Sequence, residues 1–229
     1  MLRMLFLAIV SLATSLQVGA QTPATALLDK KVSGFELRNE TFFDGLAKVN
    51  AQTDLSIAIE FVLKDRISDR NITYPRLTAR IQPGTVREAL NQLCVLENQF
   101  TWSRYKNTIN IYPASSSMLG EKYFMNRRLP RSIVAEISDP AEAIFRTVAV
   151  LPGPLEQIAF SQSGGAPGFS RPWSLSLDGL TVRQAFDEIA EHLGRGYGWT
   201  LGGAREFRVM RFHAKLLPEA KSLPDLKAH

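Results

Sequence analysis

One cysteine in 229 residues leaves nothing for an internal disulfide framework or a cysteine-based zinc cluster. Histidine is almost as scarce: His192, His213 and the terminal His229 leave little material for a metal site. Charge of one sign is nowhere concentrated. The 27 Lys and Arg against 22 Asp and Glu give a net +5 spread along the chain, not the clustered footprint of a nucleic-acid binder, so no nucleic-acid partner is expected. Long hydrophobic runs are confined to the first residues, and none is long enough to span a bilayer, which takes about 20 predominantly apolar residues. With 45% hydrophobic residues the composition is that of a globular protein, which excludes collagen-like and disordered classes. The length fits one large domain or two small ones.

What is there begins with the N-terminus. Arg3 is the only charge before Asp29, Met4 to Val10 is unbroken apolar sequence, and Val18-Gly19-Ala20 supplies small residues. This charge, apolar, small-residue order predicts a signal peptide over residues 1–20, a mature chain beginning at Gln21, and a periplasmic or secreted location. No cysteine follows to carry a lipid anchor. Cys94 lies four residues after Leu90 on a helical apolar face and is expected to be a buried, inert thiol.

A pattern then occurs twice. Thr85-Val-Arg-Glu-Ala-Leu-Asn-Gln-Leu93 matches Thr181-Val-Arg-Gln-Ala-Phe-Asp-Glu-Ile189. Each Thr is placed to cap a helix, with Glu88 and Gln184 three residues on as capping-box partners. Val86, Ala89, Leu90 and Leu93 share one helical face, as do Val182, Ala185, Phe186 and Ile189. Alternating strands precede both helices, at 77–81 and 173–177, and hairpins follow both, at 99–112 and 197–212. Upstream, a strand at 35–38, a helix opened by Thr41 and a strand at 55–59 correspond to a strand at 132–137, a helix opened by Asp139-Pro140 and a strand at 157–160. The prediction is α+β: two related units of βαβ–βαββ pattern over 34–113 and 131–215, with helices packed between small sheets. Residues 114–130 read as a linker and 216–229 as a loose tail.

The stretch from Phe35 to Tyr112 resembles the short N-terminal domain shared by secretins and TonB-dependent receptors. The strand before Thr41, the Phe43, Leu46 and Val49 helix, Gln52-Thr-Asp-Leu-Ser-Ile-Ala-Ile59 and Thr85-Val-Arg-Glu-Ala-Leu90 with its hairpin carry the resemblance. The second unit carries the later half of that pattern and is stretched by an insertion at 161–172. The resemblance implies a two-layer fold and a non-enzymatic periplasmic module, without cofactor, that contacts other envelope proteins in signalling or assembly.

No catalytic, cofactor or metal residues are assigned. The glycine-rich loop 161–171 lacks the Gly-Lys-Ser/Thr of a phosphate loop, and the glycines from Gly194 to Gly198 follow a helix instead of opening one. His192 and His213 have no signature that supplies a nucleophile and an orienting acid. The acid pairs Asp187/Glu188 and Asp65/Asp69 read as solvated faces. The hairpins offer the candidate interaction residues: Tyr105 and Lys106 on the first, Arg208 and Arg211 on the second, since aromatic and Arg side chains are favoured anchors. Their last strands, 108–112 and 206–212, are expected at open sheet edges. The alternatives are an envelope hydrolase and a binder of an anionic envelope polymer through Arg127, Arg128 and Arg131.

Overall fold

The computed structural model describes residues 26–63, 72–151, 158–160, 169, 171–203 and 208–213. The expected signal peptide, the tail, Asp65 and Asp69, and most of the loop 161–171 lie outside these residues.

The fold is α+β. In the first half a short strand β1 (Lys31–Val32) precedes β2 (Phe35–Glu40), α1 (Phe42–Thr53), β3 (Ser56–Glu60), β4 (Leu77–Ile81), β5 (Gly84–Thr85), α2 (Val86–Leu96) and the hairpin β6 (Phe100–Tyr105) and β7 (Thr108–Pro113). A connecting stretch holds α3 (Ala114–Leu119) and two 3-10 turns. The second half runs β8 (Ile133–Ile137), α4 (Pro140–Ala149), β9 (Ile158–Phe160), β10 (Trp173–Ser176), α5 (Val182–Leu193) and the hairpin β11 (Gly198–Gly203) and β12 (Arg208–His213).

Local chemistry opens each helix. Thr41, Thr85 and Thr181 each accept a hydrogen bond from the backbone three residues on, and Asp44, Glu88 and Gln184 return one, three complete capping boxes. Asp139 caps α4, with Pro140 at the first helical position. Replacing Thr181 with Ala is expected to lower stability by about 0.5–2 kcal/mol, with a matching loss at Thr85, measured by urea unfolding.

The same pairing recurs in both halves. β2 pairs antiparallel with β4, and β8 with β10. β6 pairs antiparallel with β7 while β3 runs parallel to β7; β11 pairs antiparallel with β12 while β9 runs parallel to β12. Even the lead-in repeats. Lys31 faces Thr85, with the Val86 N–H donating to Lys30 O at 2.9 Å; Arg128 faces Thr181, with the Val182 N–H donating to Arg127 O at 3.1 Å. The stretch 114–130, expected as a linker, does join the halves, but it is built into the second one: Phe124, Met125 and Leu129 are buried in its core.

Each half expected its own small sheet. Instead β3 and β11 pair in parallel, Ile59 facing Thr200 and Glu60 facing Leu201, and fuse them into one six-stranded sheet ordered β6-β7-β3-β11-β12-β9. Phe61 N–H extends the seam to Leu201 O at 2.8 Å. Gly198 is required there, because a Cβ would run into the carbonyl oxygen of Ile57.

Alternation then decides which helices cover which face. Ile57, Ile59, Ile109 and Ile111 enter the first core with Phe42, Leu46, Leu90 and Leu93 of α1 and α2. Ala58, between those isoleucines, enters the second core with Phe186, Ile189, Trp199 and Leu201. So α1 and α2 lie on one face of the sheet and α5 on the other. The second half is turned over relative to the first, about an axis crossing the strands. Phe42 stacks on Phe100 at 5.1 Å in the first core, and Phe186 meets Trp199 edge-on at 5.8 Å in the second.

Candidate interaction surface

The face of the first hairpin that turns away from α1 and α2 carries Ser103, Tyr105, Thr108 and Asn110, alternating with the core isoleucines. It is polar because α5 of the second half lies on it, and α5 brings acids. Tyr105 donates its hydroxyl hydrogen to Glu188 at 2.7 Å, Lys106 pairs with Glu188 at 2.5 Å and lies 3.9 Å from Glu191, and Asn107 donates to Glu191 at 2.9 Å. Burial and the bond to Glu188 hold the Tyr105 hydroxyl well above the usual phenol range. Tyr105 and Lys106, the candidate interaction residues of the first hairpin, are engaged within the chain: the seam brings α5 over their hairpin.

Deeper in this contact Asp187 is buried, 2% exposed. It accepts from Asn110 Nδ2 at 2.7 Å and from Trp199 Nε1 at 2.8 Å. Burial pushes its carboxyl up to about 8, against those two bonds. One turn earlier Arg183 forms a fork with both carboxylate oxygens of Glu60, reaching Oε2 at 3.1 Å, donates to Asn126 at 2.8 Å and lies over the Tyr112 ring at 4.2 Å. Burial opposes the charge of Arg183 and Glu60 outweighs it. The Asp187/Glu188 pair, expected on a solvated face, is instead the junction between the halves. A helical face says which residues point together, not that a second sheet meets them.

On the second hairpin Arg208 is buried at 7% exposure, 5.0 Å from the Phe124 ring centroid, where burial lowers its affinity for a proton. It is part of the second core, not an exposed anchor. Arg211 is half-buried on the face of β12 that points away from α5, and its Nε has no hydrogen-bond partner. His213, on that face too, has its imidazole pushed down to about 4 by burial. Trp199 is buried, and Trp102 packs on the first core with Nε1 donating to Asn91 at 2.9 Å.

The strands expected at edges are interior. β7 is flanked by β6 and β3, and β12 by β11 and β9, because each hairpin receives a parallel strand from its own half. Among the described residues the outer strands are β6 and β9. In β6, every residue after Phe100 is half-exposed and none is proline. The turn at 106–107, with Lys106 at φ 47°, makes Tyr105 and Thr108 the first hydrogen-bonded pair. Ser103 with Asn110 and Thr101 with Tyr112 follow at the two-residue period, so the backbone groups of Trp102 and Arg104 point outward from the sheet.

Other candidates are weaker. His192 stacks on Trp173 at 4.1 Å and meets Phe169 at 5.1 Å. Arg128 is 3.9 Å from Glu121, Arg131 pairs with Asp178 at 3.1 Å, and Arg127 lies over Phe124 at 5.9 Å, so the three arginines do not converge on one anion. A shallow depression of about 490 Å³ is lined by Glu36, Arg38, Glu40, Lys48 and Arg80, and four of these charges pair: Arg38 with Glu36 at 2.6 Å and Lys48 with Glu40 at 2.5 Å. No group of three or more metal-binding side chains occurs among the described residues, and no helix there is long and apolar enough to cross a membrane. Cys94 is half-buried, and burial pushes its thiol up to about 11. No family model, curated protein or solved structure matches the chain.

Proposed function

We propose that this chain is a non-enzymatic cell-envelope protein that works by binding other proteins through the open edge of β6. The observation that carries the proposal is an edge that no other strand among the described residues pairs with: a six-residue strand with outward backbone groups at Trp102 and Arg104, half-exposed side chains and no proline or bulge to blunt it. Such an edge accepts an extended segment, with backbone hydrogen bonds for affinity and alternate side chains for selectivity. Two helices between a two-stranded and a three-stranded sheet also agree with the resemblance to the short domain of secretins and TonB-dependent receptors. The N-terminal pattern supports export.

A photoreactive residue at Ser103, introduced in the producing cells, tests this. A discrete crosslinked protein is expected from Ser103, and Arg104→Pro should abolish it by removing an outward N–H. Equal crosslinking from the exposed Phe145 of α4, or persistence in Arg104→Pro, would count against the edge.

A further inference from the structure

The seam between the halves is made from one edge of each, and it leaves a matching pair unused. β6 and β11 hold the same place in their halves, as the first strand of the hairpin after the second capped helix. β3 and β9 likewise hold the same place, each parallel to the hairpin's second strand. Inside the chain β3 takes β11 in parallel. At the two ends of the sheet, β9 and β6 are outermost among the described residues. Following the strand directions across the sheet, β9 and β6 point the same way, so β6 of a second copy set beside β9 would again be parallel.

The helices repeat this asymmetry. Arg183 and Asp187 of α5 are inaccessible or nearly so because that face rests on the neighbouring hairpin. Arg87 and Asn91 occupy the same places on α2, two and six residues after the capping Thr, and are exposed; Val95, in the place of Glu191, is 80% exposed. The face that α5 has docked, α2 presents to solvent. The surface it would meet is the outward face of the β11–β12 hairpin. There Arg211 alternates with the buried Met210 and Phe212, as Asn110 alternates with Ile109 and Ile111, and it holds a buried Nε without a hydrogen-bond partner.

We infer that the partner for the β6 edge is a second copy of this chain, its own β6 laid against β9 of the first and its α2 over Arg211, so that the internal seam is repeated between molecules. This rests on the reading of β6 as a binding edge. The contact is heterologous, head to tail, and leaves one free β6 and one free β9 at the ends. It therefore generates rings or open filaments, not closed twofold dimers.

Sedimentation velocity across a concentration series tests it. The sedimenting mass should rise above that of one copy and pass beyond two copies. Arg104→Pro, at an outward edge position, and Val95→Arg, on the exposed α2 face, should each remain monomeric where the wild type assembles, with unchanged circular dichroism. Mixing is decisive for polarity. A proline variant keeps its β9 and should cap wild-type assemblies, shortening them in proportion to its share; an inert variant would mean a symmetric β6 contact and overturn the head-to-tail arrangement. A wild type that stays at monomer mass overturns self-assembly, and crosslinking of a foreign protein from Ser103 would then still stand for the edge. Amides of Trp102 and Arg104 that resist hydrogen exchange in the dilute monomer would overturn both.

Discussion

Arg183→Ala is expected to cost about 3–5 kcal/mol, the effect of breaking a buried pair by removing one partner. Glu60 is 1% exposed and faces Arg183 through both carboxylate oxygens, so the truncation leaves a charge with no counterion and little water. The guanidinium also bridges to Asn126 and covers Tyr112, which adds packing and a second hydrogen bond to the loss. The worth of the pair is a different quantity from the cost of breaking it. The double variant Arg183→Met, Glu60→Leu should recover most of the loss, since apolar groups of similar volume need no solvation. Urea unfolding of the three variants would check this: a single variant within about 1 kcal/mol of wild type, on the scale of an exposed pair, would show that water reaches Glu60.

A second large effect concerns pH. The Asp187 carboxyl is raised from 3.8 to about 8 in the folded chain, so between those values the folded state holds a proton that the unfolded state has lost. Stability therefore falls as pH rises through this window, by up to about 1.4 kcal/mol per unit, and levels off above about 8 where both states are ionised. Of the charged neighbours, Glu60 raises the value and Arg183 lowers it, but burial dominates. The neutral form also suits the site. Both groups that donate to Asp187, Asn110 Nδ2 and Trp199 Nε1, are neutral, so neither supplies the positive charge that a buried carboxylate needs. Asp187→Asn mimics the neutral acid and should flatten the pH dependence, matching wild type below about pH 4 and exceeding its stability near neutrality. A slope unchanged by that substitution would assign the titration elsewhere.

The secondary structure was legible where one residue type does one local job. Thr41, Thr85 and Thr181 mark helix starts because a short hydroxyl can reach the backbone three residues on, and Asp139-Pro140 does so by a carboxylate and a fixed φ. The hairpins were legible from alternation, which tells the two faces of a strand apart. Alternation carries no information about the strand alongside, so β7 and β12 read as terminal when each is flanked on both sides. The lead-in strand at Lys31–Val32 is too short to show a period. Asp187 reads as solvated because an acid on the flank of an amphipathic helix usually is. Only Asn110 on the far hairpin and Trp199 on the next strand make that flank an interior, and both contacts depend on a seam between distant segments.

That seam has a consequence for the order of folding. Glu60 and Arg183 are 123 residues apart in sequence, so the chain closes a long loop before the two meet, and such contacts form late. During synthesis the first half is complete well before β11 exists, and its β3 edge and hairpin face are bare throughout that interval. Bare strand edges and apolar faces are where nascent chains stick to one another. The waiting face is mostly polar, with Ser56, Tyr105, Thr108 and Asn110 around the small Ala58, groups that water can serve until α5 arrives with Asp187 and Glu188 to replace it. A seam of leucines would hold the finished molecule as well, but it would leave the half-made chain with a hydrophobic surface to hide.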